Sequence, residues 1–157
     1  MGIDKTFGLA FAKSQIAAGQ ILPVKGNVFI SVKNEDKRKV IFIAKKLSDL
    51  GFKLLATSGT AHALRQNDLD VEVVPKLHEA RPNAIDRIKS GQLHLVINTP
   101  SGKATKIDEA SIRSTAILHK IPLVTTISGA EATVNGIEAL IKKQLEVKSL
   151  QDYNSAH

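Results

Sequence analysis

Short apolar runs alternate with longer amphipathic stretches between residues 25 and 147, and this alternation is the strongest constraint on the fold. Each apolar run is rich in β-branched side chains and nearly continuous, which is typical of strands buried on both faces. Five runs are predicted strands: 28–32, 53–56, 71–74, 93–97 and 122–126. Strands that alternate with helices predict parallel pairing, because a parallel connection needs a long crossover. We therefore expect an α/β three-layer sandwich with a roughly five-stranded parallel sheet.

Helical periodicity fills the intervals between these strands. The predicted helices span 36–50, 61–67, 84–90, 108–120 and 131–147. In the first of them Val40, Ile43 and Leu47 share one face, and Gly51 follows as a stop signal.

The two ends of the chain depart from the alternating pattern. A further helix is predicted over 4–18, and the last residues are polar, which favours a flexible tail. The predicted organisation is therefore a helix and connector over 1–24, an α/β domain over 25–147 and a tail over 148–157.

Composition excludes several kinds of site and partner. The chain of 157 residues has no cysteine, which excludes disulfides, thiolate metal sites and a cysteine nucleophile. We expect a cytoplasmic protein with no membrane partner, because no signal peptide is visible and no apolar run approaches the roughly 20 residues that span a bilayer. The net charge is +7, but the lysines are scattered, and one Tyr, five Phe and no Trp offer few platforms for stacking bases. Nucleic acid is therefore not an expected partner.

The turn Thr57-Ser58-Gly59-Thr60 carries three hydroxyls and a glycine between a predicted strand and a predicted helix. Backbone N–H groups at a helix N-terminus carry partial positive charge, Gly59 permits close approach of a ligand, and hydroxyls donate hydrogen bonds. This combination favours a phosphate cradle. The alternative is a capped turn in which Thr60 is only the helix N-cap.

Lys37 is predicted to lie in the first turn of the helix that follows the first strand. A cation there opposes the helix dipole by roughly 0.3–1 kcal/mol. Either Glu35 and Asp36 neutralise this charge, or Lys37 faces a bound anion. Lys37 is expected at the same edge of the sheet as Thr57 and Thr60.

Polar residues also follow the remaining strands. Lys76 opens a loop after the third strand, for which simple solvation is the alternative explanation. Asn98 ends the fourth strand, Ser101 and Gly102 follow it, and Thr125 closes the last strand. Because the carboxyl ends of parallel strands share one edge, these residues predict a pocket for a small phosphate-bearing ligand.

Four runs of the sequence together resemble one family: MGIDKTFGLAFAKSQIAAG, KLSDLGFKLLATSGTAHAL, VPKLHEARPNAIDRIKSG and VINTPSGK. They resemble the carboxy-terminal part of the large chain of carbamoyl-phosphate synthase, from residue 2 to about residue 147. The resemblance implies that 25–147 form a regulatory domain with a methylglyoxal-synthase-like fold. It also implies that 1–24 are the tail of a preceding ATP-using synthetase half.

The resemblance implies ligands as well as a fold. In that family the domain binds nucleotide effectors, UMP or IMP, and ornithine binds near its junction with the synthetase half. Lys37, Thr57, Thr60 and Lys76 match the effector positions, with Asn98 beside them.

Thr125 matches a position of the family's ornithine site. Two residues depart from the family pattern: Pro100 stands where nucleotide-regulated members have threonine, and Glu109 replaces a hydroxyl residue. Proline removes both a hydroxyl and an N–H.

The same resemblance places catalysis outside this chain. No catalytic residue, metal or cofactor is expected here; ATP, Mg or Mn, and K are expected only in the synthetase domains. Those domains and a small glutaminase subunit are the expected protein partners, in a glutamine-hydrolysing ligase of pyrimidine and arginine biosynthesis.

The alternative function is a methylglyoxal-synthase-type lyase acting on a triose phosphate. That chemistry needs a carboxylate base near the phosphate. The loop 99–103 offers none, and Glu79 and Asp86 are expected to cap or pair.

The predicted helix over 4–18 carries a stripe of small and aromatic residues that includes Phe7, Ala10, Phe11 and Ser14. Such a stripe is typical of a buried helix face. We expect it to dock on the preceding synthetase half or, in this chain alone, to support self-association.

Overall fold

The computed structural model of the chain describes residues 21–100 and 106–155. Its strands and helices alternate as predicted, and a short 3-10 turn, Asn34–Asp36, precedes the first helix. The elements are β1 (Asn27–Ser31), α1 (Lys37–Asp49), β2 (Lys53–Ala56), α2 (Ser58–Arg65), β3 (Val71–Val73), α3 (Ala84–Lys89), β4 (Leu95–Asn98), α4 (Lys106–Leu118), β5 (Leu123–Val124) and α5 (Ile127–Ser155).

The described residues fall into two compact units. Lys25–Glu131 contains the five strands and α1 to α4, and the described residues outside it, 21–24 and 132–155, belong to the other unit. The predicted boundaries at 24 and 147 stay predictions. The predicted helix over 4–18 lies outside the described residues.

The five strands form one parallel sheet in the order β3-β2-β1-β4-β5. In its register Phe29 of β1 lies between Leu55 of β2 and Val96 of β4. The chain moves outward from β1 through β2 to β3 and then returns to the other side of β1. The strand order therefore reverses beside β1, and a crevice is expected there, outside the carboxyl ends of the strands.

Helices cover both faces of the sheet. Phe29, Leu55 and Val96 are 1%, 1% and 0% exposed and belong to a core cluster with Ile88 of α3 and Ile112 of α4. The alternate positions of the strands are buried too, on the opposite face, where α1 contacts β2 and α2. Burial on both faces explains why the strands read as continuous apolar runs, and it confirms the three-layer α/β prediction.

The prediction that α1 buries one apolar face is confirmed. Val40, Ile43 and Leu47 are buried, and Leu50 is the C-cap of the helix. Gly51 follows with φ of 96°, a left-handed conformation that glycine adopts without steric cost.

Two predicted helix starts were wrong. The second helix begins at Ser58 rather than Ala61, because Thr57 has the extended backbone of an N-cap, with φ −65° and ψ 157°. The last helix begins at Ile127 rather than Glu131, and the N–H of Gly129 donates to Thr126 Oγ1 at 3.0 Å. In both cases a threonine upstream of the apolar periodicity ends the extended segment and starts the helix, and β5 is correspondingly only two residues long.

A polar cluster fixes the start of α3 and the end of the loop before it. Asn83 and Asp86 form a reciprocal capping box, with Asp86 N–H to Asn83 Oδ1 at 3.1 Å and Asn83 N–H to Asp86 Oδ2 at 2.9 Å. Arg81 Nε also donates to Asp86 Oδ2 at 3.1 Å. The Arg81 guanidinium, and then the Asn83 backbone N–H, lower the pKa of Asp86 to about 2.

Asp86 should therefore make folding stability depend on acid pH. Its folded-state pKa lies below its unfolded value of about 3.9, so its stabilising contribution is full above about pH 4 and is lost as the pH falls towards about 2. We expect Asp86→Asn to be less stable than the parent at neutral pH and to approach it near pH 2, as measured by thermal melting across that range. Asp70→Asn, at an exposed position, is the control. A constant difference between Asp86→Asn and the parent at every pH would contradict this assignment.

Candidate functional site

A cavity of about 260 Å³ lies at the carboxyl edge of the sheet, beside β1. Several residues predicted for the effector site line it: Lys37, Thr57, Gly59, Thr60, Lys76 and Asn98. The reversal of strand order beside β1 places residues that are distant in the sequence around this one cavity.

The turn from β2 into α2 forms one wall of the cavity. Thr57 is the N-cap, and Ala61 N–H, which donates to Thr57 O at 2.8 Å, makes the first bond of the helix. The N–H groups of Ser58, Gly59 and Thr60 therefore precede the helical ladder and carry the positive end of its dipole. This wall is a set of backbone donors with hydroxyls beside them.

The threonine hydroxyls also have structural partners. Thr60 Oγ1 accepts a hydrogen bond from the buried Val32 N–H at 3.3 Å, which ties α2 to the segment after β1. Thr57 Oγ1 donates to Ser31 Oγ at 3.3 Å. The interpretation of Thr60 as an N-cap was wrong, since its hydroxyl binds the neighbouring strand segment instead.

Lys37 lies against the N-terminus of α2. Its Nζ donates to Asn34 Oδ1 at 2.7 Å, and a Cβ added to Gly59 would lie 2.9 Å from the same Nζ. Among the described residues no ion pair joins Lys37 to a carboxylate. An ammonium and a helix N-terminus thus face the same small space, which is an arrangement that an anion stabilises.

Asn98 faces the cavity at the end of β4. It is only 7% exposed, and its side chain makes no hydrogen bond with any residue of the described chain. Beside it, Thr99 Oγ1 accepts from Lys33 N–H at 3.0 Å and holds the segment after β4 to the segment after β1. The Asn98 amide therefore keeps a donor and an acceptor for a ligand.

The remaining predicted residues are not part of this wall. Ser58 is exposed and does not line the cavity, and neither does Thr125, which is half-buried after β5. Ser101 and Gly102 lie outside the described residues. Pro100 is exposed and lies away from the cavity lining.

Sequence reasoning named Glu109 only as a departure from the family pattern and gave Asp108 no role, so it did not predict an acidic side of the cavity. Asp108 and Glu109, in the first turn of α4, both line it, and Glu109 is 9% exposed. Asp108 Oδ2 lies 3.4 Å from His78 Nδ1 on the loop after β3. Acidic residues in a first helical turn were a visible signal, but their common explanation is the helix dipole, and only the tertiary fold places them in the cavity.

Two other carboxylates are engaged elsewhere, as predicted. Asp86 caps α3 and pairs with Arg81, and Glu79 Oε2 accepts from Lys76 N–H at 3.3 Å. Within the described residues no group of three or more His, Asp or Glu side chains has an arrangement that could hold a metal ion. No helix in that part of the chain is long and apolar enough to cross a membrane.

The fold and the cavity define an α/β domain with a polar pocket at the strand ends, lined by hydroxyls and by charged side chains of both signs. The family model of the MGS-like domain matches residues 39–125, and the chain belongs to this family. The fold agrees with the crystal structure of methylglyoxal synthase from Elizabethkingia anophelis, at a TM-score of 0.58 and 16% identity over 72% of this chain and 79% of that one.

Relatives of known name confirm the resemblance to carbamoyl-phosphate synthase. The chain is 48% identical to the carbamoyl phosphate synthase large chain of Nostoc sp. and 44% identical to that of Archaeoglobus fulgidus, over 98% of its length in both cases. It is 50% identical to the large chain of Mycobacterium tuberculosis over 97% of its length. The chain spans about 14% of the length of these relatives.

The hydrogen bond between Thr60 and Val32 predicts a stability effect. Thr60→Val keeps the shape of the side chain but leaves a buried N–H without an acceptor, which costs about 1–3 kcal/mol. Urea unfolding should therefore show a lower midpoint for this variant. Ser58→Ala, at an exposed position of the same turn, should stay within about 0.5 kcal/mol of the parent. Equal unfolding free energies for Thr60→Val and the parent would contradict the bond.

Proposed function

We propose that this chain is the regulatory domain of a carbamoyl-phosphate synthase large chain and binds a nucleoside monophosphate effector, UMP or IMP. The phosphate is held between the N-terminus of α2 and the Lys37 ammonium. The main support is the position of Lys37 Nζ beside the first turn of α2: it lies 2.9 Å from the point where a Cβ on Gly59 would be. The identity to large chains of that name supports the choice of parent enzyme.

A phosphate suits this wall for electrostatic and geometric reasons. Its oxygens can accept from the N–H groups at the start of α2 and from Lys37 at the same time. Hydrogen bonds to a charged group contribute roughly 1.5–3 kcal/mol each, and the phosphate also removes the repulsion between Lys37 and the helix N-terminus. Lys76, exposed at the rim, adds a third source of positive potential.

The rest of the cavity suits a small organic group on that phosphate. A volume of about 260 Å³ lies near the lower end of ligand pockets, which excludes a large second ligand beside the first. Asn98 offers one donor and one acceptor at the end of β4, which is suited to the edge of a base or a ribose.

In this proposal, catalysis takes place in other domains and subunits of the parent ligase. The synthetase domains, with ATP, Mg or Mn, and K, and the small glutaminase subunit would form carbamoyl phosphate in the cytoplasm. An effector can change their activity only if it binds one conformation of the whole enzyme more tightly than another. Ornithine, the second proposed ligand, would bind near Thr125 at the junction with the synthetase half.

One observation favours a second candidate, a methylglyoxal-synthase-type lyase. Asp108 and Glu109 bring carboxylates into the cavity that holds the phosphate cradle, and a carboxylate is the base that this chemistry requires. Asp108, however, is engaged by His78, whose Nδ1 lies 3.4 Å from Asp108 Oδ2. We therefore propose that this chain is not itself catalytic.

Lys37→Ala should weaken UMP or IMP binding by about tenfold or more, because it removes one charge-assisted hydrogen bond of roughly 1.5–3 kcal/mol. Isothermal titration calorimetry measures the change. Arg38→Ala is the matched control, because Arg38 is the next residue of the same first turn, carries the same charge and is exposed away from the cavity. Equal losses of affinity in both variants would mean that net charge alone explains the effect. Unchanged affinity in Lys37→Ala would contradict the proposed phosphate site.

The purified chain should not convert dihydroxyacetone phosphate to methylglyoxal. The assay is a colorimetric measurement of methylglyoxal, with a methylglyoxal synthase as positive control. Turnover that disappears in both Asp108→Asn and Lys37→Ala would establish the lyase instead.

A further inference from the structure

The first turn of α1 carries three cations and no acid. Lys37, Arg38 and Lys39 open the helix, where positive charge opposes the helix dipole. Lys37 lines the cavity, so the proposed phosphate compensates its charge. Arg38 and Lys39 are exposed and lie outside the cavity lining. Their charges are therefore not compensated by a ligand in the cavity.

The positive charge continues along one exposed face of the helix. Lys45 follows Arg38 by seven residues, which is about two helical turns, so the two side chains lie on the same face. Among the described residues no ion pair joins Arg38, Lys39 or Lys45 to a carboxylate. The helix as a whole has five basic residues and one acid, Asp49. This face of α1 is thus a source of positive potential outside the cavity.

Phe42 lies in the middle of these cations. It is 76% exposed, and Lys39 and Lys45 are each three residues away along the helix. A lone exposed apolar side chain is ordinary on a protein surface, but aromatic side chains and arginine are enriched together in protein–protein interfaces. The opposite face of α1 is packed in the core, with Val40 and Leu47 both 0% exposed, so Phe42 cannot turn inward while the helix is folded.

We propose that the basic face of α1, formed by Arg38, Lys39, Phe42 and Lys45, docks on an acidic surface of the remaining part of the parent large chain. Phe42 fills an apolar pocket in that surface, and the cations pair with acids around it. The proposal rests on the proposed function only for the identity of the parent protein.

Two observations select this occupant. The unpaired cations require a partner of opposite charge, because complementary potentials decide which surfaces associate. The chain also spans only about 14% of the length of its large-chain relatives, so most of the protein surface available to it belongs to the same polypeptide. A covalently linked partner is present at high effective concentration, which makes even a small interface sufficient.

Other occupants fit this face less well. A second copy that docks the same face would place cations against cations. An anionic membrane binds amphipathic helices that insert their apolar face, whereas the apolar face of α1 is buried in the domain. Single-stranded nucleic acid stacks its bases on several aromatic rings, and the basic face offers one.

A docked α1 would connect the cavity with the catalytic part of the parent enzyme. Lys37 begins the helix and lines the cavity, and the basic face occupies the turns that follow it directly. An effector held by Lys37 therefore contacts the same helix that contacts the partner. Such an effector can favour one docked arrangement over another, which is the requirement for a change in activity.

The test is hydroxyl-radical footprinting of Phe42, because the oxidation of a side chain depends on its access to solvent. The isolated chain is compared with the parent large chain, purified with its glutaminase subunit, at the same radical dose. Burial of a ring that is 76% exposed should slow its oxidation about fivefold or more in the parent. The double variant Arg38→Glu/Lys45→Glu, made in the parent, should restore the rate of the isolated chain, because acids then face acids.

A matched double variant separates the basic face from net charge. Lys89→Glu/Arg113→Glu makes the same change of charge at exposed positions of α3 and α4, and it should leave Phe42 protected in the parent. Both double variants are first checked for a cooperative melting transition. Arg38→Glu places an acid in the first turn of α1, which the helix dipole favours, so the test variant is expected to fold.

Each outcome supports or overturns the inference. Equal oxidation of Phe42 in the isolated chain and in the parent would overturn it, as would protection that survives Arg38→Glu/Lys45→Glu or is lost in the matched control. Protection of the isolated chain by its own dimerisation, by a DNA duplex or by phosphatidylglycerol vesicles would assign the face to that occupant instead. Calorimetry of UMP and IMP on the isolated chain tests the proposed function separately, so either proposal can fail while the other stands.

Discussion

Two backbone N–H groups just beyond β1, those of Val32 and Lys33, hold the walls of the cavity together. The first donates to Thr60 Oγ1 on α2 and the second to Thr99 Oγ1 after β4. Both bonds are possible because β1 is the central strand and all five strands run in the same direction. A segment that belongs to no helix or strand thus fixes the start of α2 and the loop after β4 relative to each other, and the cavity lies between these two points.

The electrostatics of the cavity follow from this arrangement. The start of α2 is held against Lys37, so two sources of positive potential share one space that Gly59 leaves free of a side chain. Such an arrangement is unfavourable without an anion, by roughly 0.3–1 kcal/mol for a first-turn charge. Asp108 and Glu109 line the same cavity, so its charged side chains are of both signs. A cavity with charges of both signs orients a polar ligand, which a uniformly basic patch does not.

The sequence predicted the sheet and several of the residues that line the cavity because both leave local patterns. Continuous apolar runs identify strands buried on both faces, and hydroxyls with a glycine after a strand identify a helix N-terminus that faces outward. The start of α2 at Ser58 could not be predicted from apolar periodicity, because that periodicity begins three residues later. The N-cap residue Thr57 sets the start of the helix. Glu109 was named as a departure from the family pattern, but its place in the cavity lining could not be predicted, because an acid in a first helical turn is usually explained by the helix dipole until α4 is placed in the fold.

The same fold can carry a lyase or a regulatory domain, so the fold cannot decide between them. The proposed phosphate cradle cannot decide either, because a triose phosphate and a nucleotide would use it in the same way. What remains is the chemistry of the cavity, because a catalytic carboxylate would have to reach a carbon atom close to the phosphate of a triose. Asp108 and Glu109 line the same cavity as Thr57 and Lys37, and Asp108 Oδ2 lies 3.4 Å from His78 Nδ1 on the loop after β3. The lining therefore suits either function, and what separates the two is whether a ligand bound in the cavity is turned over.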